Sequence, residues 1–323
     1  MTDNVLYFPY IRVPNKPWFT RTLLYWDSVG SIVPAEYIRH PERLGSHMQS
    51  LLTEGLVKQI LPGRYIYEVP NFVDAFIDAA EEHKRKFAIT PDAFAKLPTF
   101  RVHIEKLGNI GDILCKMGLA RKSDHPWFEI EARLAGQFMA YLAGVLSRLP
   151  ELNSRPITDD QNQLNIYESY DTDRSIILEN LLPAPAKGIT VDSLSHFKSK
   201  NQASLVSFRN EIESFILQVA SITDRPLRDE MVNRFLAKEK AEIDAILDAM
   251  GSQGWTKISF GRFLSYAVAG VTLVDAVATG GLFATIAAAF GVGSSGYTTY
   301  QESKSPEILK NSYMAYAALA SKL

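Results

Sequence analysis

Short apolar runs alternate with helical repeats of apolar residues along the first part of the chain. Residues 5–13 are rich in aromatic and β-branched side chains, which is typical of a strand, although Pro9 indicates an edge or a bulge. In residues 18–27 the apolar positions recur at helical spacing, and a second apolar run follows at 31–33. This order predicts a strand–helix–strand unit.

The same alternation continues toward residue 90. Residues 40–55 have the pattern of a helix, and two apolar runs at 57–61 and 65–69 flank a Pro-Gly pair, which predicts a hairpin. Asn71 stands where an N-cap belongs, ahead of a predicted helix over 72–86. Helices and short strands therefore follow one another.

Further strand and helix signals extend this region to about residue 185. Residues 99–107 alternate apolar and polar positions, as a strand does, whereas 109–117 and 130–149 have helical periodicity and 153–156 indicate a turn. Mixed signals of this kind predict an α/β domain over residues 1–185 rather than an all-helical one.

The pattern changes after a Pro-Ala-Pro stretch at 183–185. Residues 192–222 and 226–250 carry apolar residues at spacings of three and four on a polar background, which predicts two long amphipathic helices. We therefore expect a mostly α-helical domain over 186–323.

Residues 263–293 form a nearly uncharged run of small and apolar residues. The run is long enough to cross a bilayer, but Asp275 lies near its middle and Gly280-Gly281 would interrupt a helix there. A hairpin of two short helices fits better. Three interpretations stay open: a buried hairpin, a membrane-inserting or pore-forming hairpin, and an arm that binds a partner.

Composition and charge narrow the class of protein. Cys115 is the only cysteine, so an intramolecular disulfide is excluded and a reducing, cytoplasmic location is expected. The formal net charge of −2 gives no field that would attract a polyanion, so we do not expect nucleic-acid binding. No basic segment followed by an apolar stretch of signal-peptide length opens the chain, and no cofactor or metal is expected from any motif.

Several short motifs resemble an uncharacterised bacterial family known only as a domain of unknown function. These motifs are YFPYIR at 7–12, WFT at 18–20, LLYWDSVGSIVP at 23–34, QFMAYLA at 137–143 and PITD at 156–159. The resemblance covers most of the chain in outline and implies a bacterial protein. It brings no established activity. A role in phage defence or mobile-element conflict is what the resemblance leads us to expect.

The first candidate ligand site lies at the ends of the first predicted strand and helix. Arg12 and Asp27, with the neighbouring Trp26, are set among aromatic residues where ligand sites collect in α/β folds. Arg12 could hold a phosphate or a carboxylate by a two-pronged hydrogen bond. Alternatively, Arg12 and Asp27 pair with each other as a structural bridge.

A second candidate is the pair Asp159 and Asp160, which follows a predicted short strand. Paired carboxylates could bind a divalent metal or act as acid and base. Adjacent side chains on an extended segment point to opposite faces, so helix capping or a solvated loop is the alternative. Ordinary structural or surface roles are expected for the histidines, which have no metal-ligand spacing: His40, His47, His83, His103, His125 and His196.

These features lead to three functional hypotheses. The first is a non-catalytic or effector-type protein, whose sheltered hairpin at 263–293 contacts a membrane or a partner when exposed; a protein that stays soluble and inert toward liposomes would count against it. The second is an enzyme that acts on a small phosphorylated or carboxylated molecule at Arg12, Asp27 and Asp159. The third is a scaffold or homo-oligomer, testable by mass measurement in solution.

Overall fold

A computed structural model of the protein describes residues 4–160, 169–182, 189–249, 312–321 and 323. The chain divides into two units, one made of Met1–Glu168 with Ile189–His196 and the other of Ser169–Gly188 with Phe197–Leu323. The first unit is mixed α/β and the second is helical, which confirms the predicted fold class. The predicted boundary near residue 185 and the predicted hairpin at 263–293 lie outside the described residues.

Strands and helices alternate in the first unit. In chain order they are β1 (Asn4–Tyr7), α1 (Pro17–Tyr25), β2 (Ser28–Ile32), α2 (Ala35–Arg39), a 3-10 turn (Pro41–Leu44), α3 (Ser46–Thr53), β3 (Val57–Ile60), a 3-10 turn (Pro62–Arg64), α4 (Phe72–Lys86), α5 (Pro91–Phe94), β4 (Thr99–His103), α6 (Ile104–Leu107), α7 (Ile110–Met117), β5 (Ala120–Lys122), β6 (Trp127–Glu131), α8 (Ala132–Ser147) and β7 (Ser154–Ile157).

Four of the strands form a parallel sheet in the order β3-β2-β1-β7. Every residue of β2 is buried, as expected for a parallel strand with neighbours on both sides. Gly30 suits the close packing around β2, because a Cβ atom there would lie 3.0 Å from Cδ1 of Leu6 on β1. The first strand was predicted over residues 5–13, but β1 ends at Tyr7. The chain leaves the sheet ahead of Pro9, since proline cannot donate a hydrogen bond to a neighbouring strand.

A second, antiparallel sheet has the order β4-β6-β5. The hairpin predicted over residues 57–69 is wrong. β3 instead pairs in parallel with β2, and the Pro-Gly pair belongs to a 3-10 turn at Pro62–Arg64. The partner of β3 is therefore a strand from earlier in the chain rather than the segment that follows.

Two predicted elements each turn out to be a strand followed directly by a helix. The predicted strand over 99–107 becomes β4 and α6, and the predicted helix over 130–149 begins only after β6. In both cases the last strand residue caps the helix: Nδ1 of His103 accepts from N–H of Glu105 at 3.2 Å, and Oε2 of Glu131 accepts from N–H of Leu134 at 2.9 Å. These caps satisfy donors that the first helical turn leaves unpaired.

The core of the first unit is organised around α8, which contacts strands of both sheets. Phe138 is fully buried and packs edge-on against Phe76 of α4, with ring centroids 5.0 Å apart. Leu6 of β1 and Val102 of β4 belong to the same cluster of buried apolar residues. One continuous core therefore supports both sheets and fixes the carboxyl end of β1 relative to β4.

Five further helices are described after the sheets. They are α9 (Ser169–Leu181), α10 (Val191–Lys200), α11 (Gln202–Ala220), α12 (Arg225–Ala249) and α13 (Ala315–Ala320). The single helix predicted over 192–222 is interrupted at Asn201, whose side-chain amide donates to the carbonyl of Phe197 at 2.8 Å. Within the helical unit, Tyr316 of α13 is buried with its ring centroid 5.9 Å from that of Phe208 on α11.

Candidate functional site

A cavity of about 390 Å³ lies beyond the carboxyl end of β1. Its walls come from residues 9–12, which follow β1, and from β4 and α6, with Tyr37, Trp127 and Met139 completing the lining. Ligands in open α/β sheets bind in this position, outside the carboxyl ends of parallel strands. The fold therefore places a cavity where the chemistry of such proteins is usually found.

Lys106 lines this cavity and is nearly inaccessible to solvent, with 3% of its surface exposed. Among the described residues, no hydrogen bond or ion pair reaches its ammonium group. Burial lowers the pKa of the Lys106 amine to about 7, because a charged group loses its hydration in the interior. A buried lysine without a counter-charge is unusual, since such residues are normally paired.

His103 is the second buried basic group of the cavity. Its Nδ1 accepts the hydrogen bond from Glu105, so the proton of the neutral ring lies on Nε2. Within the described part of the chain, Nε2 has no hydrogen-bond partner, and the nearest acidic oxygen, Oε1 of Glu36, is 4.0 Å away. Burial lowers the pKa of the His103 ring, although the two nearby glutamates oppose the shift. The ring therefore presents an unsatisfied N–H donor.

Two arginines complete the basic lining. Arg12 is exposed, and one of its terminal nitrogens donates to the main-chain oxygen of Arg43 at 2.5 Å. Arg101 is also exposed, and its guanidinium lies over the ring of Trp127, 5.2 Å from the centroid. Both guanidinium groups keep further N–H donors, since each carries five.

Five residues were predicted from sequence to bind a ligand, and of these, in the described part of the chain, only Arg12 lines this cavity. The other four are Trp26, Asp27, Asp159 and Asp160. Arg12 donates to the main-chain oxygen of Arg43. In the described part of the chain, no ion pair joins Arg12 to Asp27. Trp26 is buried and packs edge-on against Tyr25, with centroids 4.9 Å apart. Asp27 is partly exposed just beyond α1.

Asp159 belongs to a separate cluster at the carboxyl ends of β1 and β7. Its Oδ1 accepts from the hydroxyl of Tyr7 at 2.8 Å, and its Oδ2 accepts from the ammonium of Lys16 at 3.0 Å. Burial, followed by this hydrogen bond, raises the pKa of Tyr7 above its usual value. Asp160 donates its main-chain N–H to the hydroxyl of Thr158 at 3.0 Å. Both oxygens of Asp159 are therefore already engaged by the protein.

No group of histidine, cysteine and acidic side chains in the described ranges is arranged to hold a metal ion. Comparison with protein-family models, with curated proteins and with solved structures finds no match for this chain. The resemblance to a family of unknown function therefore stays a prediction. In the part of the chain that the structure describes, none of the helices is both long and apolar enough to cross a bilayer.

Proposed function

We propose that the α/β unit binds a small anionic organic molecule in this cavity through a phosphate or carboxylate group. The observation that carries the proposal is Lys106, a buried amine for which the described residues supply no partner. Burying an ammonium group costs several kcal/mol unless an opposite charge is close by. A bound anion would supply an opposite charge for the protonated fraction of Lys106.

The charges around the cavity favour an anion over a cation. Four side chains of the lining are basic, namely Arg12, Arg101, His103 and Lys106, and the lining residues include no aspartate or glutamate. The nearby Glu105 is committed elsewhere, because its Oε2 accepts from the main-chain N–H of Ala35 at 2.7 Å. At the buried Lys106 and His103 such an attraction is stronger than in bulk water.

The size and apolar lining of the cavity indicate the rest of the ligand. A volume of about 390 Å³ lies in the range of pockets that hold small molecules. Tyr10 and Phe100 pack together there, with ring centroids 5.8 Å apart, and Trp127 lies beneath Arg101. Flat aromatic walls of this kind suit an apolar or ring-shaped group attached to the anion.

Calorimetric titration with phenyl phosphate tests this proposal, with phenol as the uncharged probe. We expect phenyl phosphate to bind and phenol to bind far more weakly. Arg101→Gln should weaken phenyl phosphate binding by roughly 10- to 150-fold, because a hydrogen bond to a charged group contributes about 1.5–3 kcal/mol. Arg85→Gln is the matched control, since Arg85 is an exposed arginine of α4 outside the cavity lining. Equal binding of the two probes, or equal effects of the two substitutions, would contradict the proposal.

The proposal retains one part of the enzyme hypothesis and moves the rest of the site. Arg12 stays among the ligand-binding residues, whereas Asp159 is replaced by Arg101, His103 and Lys106. The effector hypothesis rests on residues 263–293, which lie outside the described residues, and it stays a prediction. A sensor domain of an effector also needs a ligand site, so anion binding is compatible with both hypotheses.

A further inference from the structure

We propose that the ε-amine of Lys106 is a nucleophile that condenses with the carbonyl carbon of a small acid, one that also carries an aldehyde or ketone group. This inference rests on the proposed function, because the same cavity has to bind the acid group. The carrying observations are a buried amine on a cavity wall, a buried imidazole N–H three residues before it, and arginines on the same lining.

The fold holds Lys106 and His103 close together. His103 is the N-cap of α6, and Lys106 lies three residues later within the single turn that follows. Lys106 is close enough that its charge helps to lower the pKa of the His103 ring. α6 ends immediately afterwards at Gly108, whose N–H donates to the carbonyl of Ile104 at 2.9 Å and whose φ is +56°. Gly108 closes the turn with a positive φ, a conformation that glycine adopts without a steric penalty.

Burial also gives Lys106 the protonation state that a nucleophile needs. With a pKa of about 7, roughly half of the amine is neutral at pH 7, whereas an exposed lysine is neutral in fewer than about one molecule in a thousand. Burial is the cause of this shift. Other charged or titratable groups lie on the elements packed against α6 or line the cavity: Tyr10, Arg12, Tyr37, Arg64, Arg101, His103, Asp112 and Lys116. Glu36 and Glu105 lie near His103.

The proposed reaction exchanges a C=O bond for a C=N bond without oxidation or reduction. The lone pair of Nζ forms a bond to the carbonyl carbon, and the π electrons move to the carbonyl oxygen. In the proposed step, the N–H at Nε2 of His103, which has no hydrogen-bond partner among the described residues, donates to that oxygen as its charge develops. The two N–H protons of the amine end on the oxygen, directly or through solvent, and the oxygen leaves as water. The product is an imine between Lys106 and the acid.

The arginines explain why the carbonyl compound should be an acid. Arg12 and Arg101 lie on the lining and retain N–H donors, so a carboxylate held by them would leave the remainder of the molecule inside the cavity with Lys106. A carbonyl compound without an anionic group would lose this anchor. We therefore expect the acid group to raise the rate of imine formation by increasing the local concentration of the carbonyl.

Reductive trapping tests the inference. The full-length protein is incubated with 4-formylbenzoate and sodium cyanoborohydride, and the modified residue is found by peptide mass mapping. At pH 7, labelling of Lys106 is expected to be at least about tenfold faster than labelling of Lys116, an exposed lysine of α7, because of its larger neutral fraction. Benzaldehyde, which lacks the carboxylate, should label Lys106 more slowly. Labelling of Lys106 should level off above about pH 8, whereas labelling of exposed lysines keeps rising.

Two variants and one additional ligand separate the possible failures. Lys106→Met should remove the fast labelling, and Lys116→Met should leave it intact. Mapping of the wild-type protein gives the same answer if a variant does not fold. If 4-methylbenzoate binds but 4-formylbenzoate labels Lys106 no faster than Lys116, the imine proposal fails and the proposed function stands. If neither 4-methylbenzoate nor phenyl phosphate binds, both fail.

Discussion

Two buried cations, one in each unit of the protein, differ in whether they have a counter-charge. In the helical unit, Arg174 is buried and makes two hydrogen bonds to Glu213, from Nε to Oε1 at 2.7 Å and from Nη2 to Oε2 at 2.8 Å. In the α/β unit, Lys106 is buried to a similar degree, and the described residues provide it with no counter-charge. A paired buried charge has a structural role, whereas an unpaired one beside a cavity indicates a ligand.

The helical unit also supplies partners for a buried acidic group. Glu239 is fully buried, and its two oxygens accept hydrogen bonds from the hydroxyl of Tyr313 at 2.8 Å and from the ammonium of Lys238 at 3.0 Å. Both oxygens of this carboxylate are satisfied by groups of the same unit. The contrast with the cavity is therefore between complete and incomplete polar networks.

The largest effect should come from breaking a complete network. Arg174→Met leaves Glu213 buried without its guanidinium partner, and the free energy of unfolding should fall by about 3–5 kcal/mol. Urea unfolding measures this change, with hydrogen exchange in peptides of α11 as the signal. The double variant Arg174→Met with Glu213→Leu should recover most of the loss, because it removes both charges. A loss below about 1 kcal/mol in the single variant would contradict the structural role of the pair.

A change in the opposite direction is expected at the incomplete network. Lys106→Met should raise the free energy of unfolding at pH 7 by roughly 2–4 kcal/mol, because the folded amine has a pKa of about 7 and the unfolded amine has the ordinary value of about 10.4. Between these two values the unfolded chain binds more protons, so the wild-type protein gains stability as the pH rises. The advantage of the variant should therefore shrink between pH 7 and about pH 10.

Urea unfolding at several pH values measures this difference. Lys58→Met is the matched control, since Lys58 is an exposed lysine of β3, and its stability should stay within about 0.5 kcal/mol of the wild type at every pH. A Lys106→Met variant that is less stable than the wild type at pH 7 would show that the amine has a partner after all.

The smallest effects should come from the cluster around Asp159. Its carboxylate has one buried partner, Tyr7, and one exposed partner, Lys16, so the two can be compared. Tyr7→Phe removes a hydrogen bond from a hydroxyl that is almost fully buried, and the free energy of unfolding should fall by about 1 kcal/mol. Lys16→Met removes an exposed ammonium and should cost less than about 0.5 kcal/mol. Thermal or urea unfolding of the two variants measures both changes. Equal losses of unfolding free energy would contradict the expected difference between a buried and an exposed partner.

The periodicity of the sequence predicted elements well where one pattern fills one element. The helix predicted over 72–86 is observed as α4 with the same bounds, since its apolar face packs on α8 and its ends are marked by polar residues. Asn71 stands at the N-cap position, but it has a left-handed backbone and makes no side-chain cap hydrogen bond. Prediction was less accurate where a strand runs directly into a helix, because the apolar spacing continues across the junction.

This kind of junction also explains why the cavity residues were missed. As a single strand over 99–107, the alternation places Lys106 on the same face as Phe100 and Val102. A lysine on an apolar face was the available signal of a buried, unpaired amine. Arg12 was identified because it stands among aromatic residues, whereas its grouping with His103 depends on a cavity formed by segments about 90 residues apart. Periodicity within one segment contains no information on such long-range contacts.

The position of α13 has a consequence for how the protein is made. Tyr316 packs against Phe197 and Phe208, so an aromatic cluster in the interior of the helical unit joins residues more than a hundred positions apart in the chain. While the ribosome is still translating the residues before α13, the apolar faces of α10 and α11 have no tyrosine to cover them. During that interval the nascent helices can associate with those of other chains, because their apolar surface is exposed.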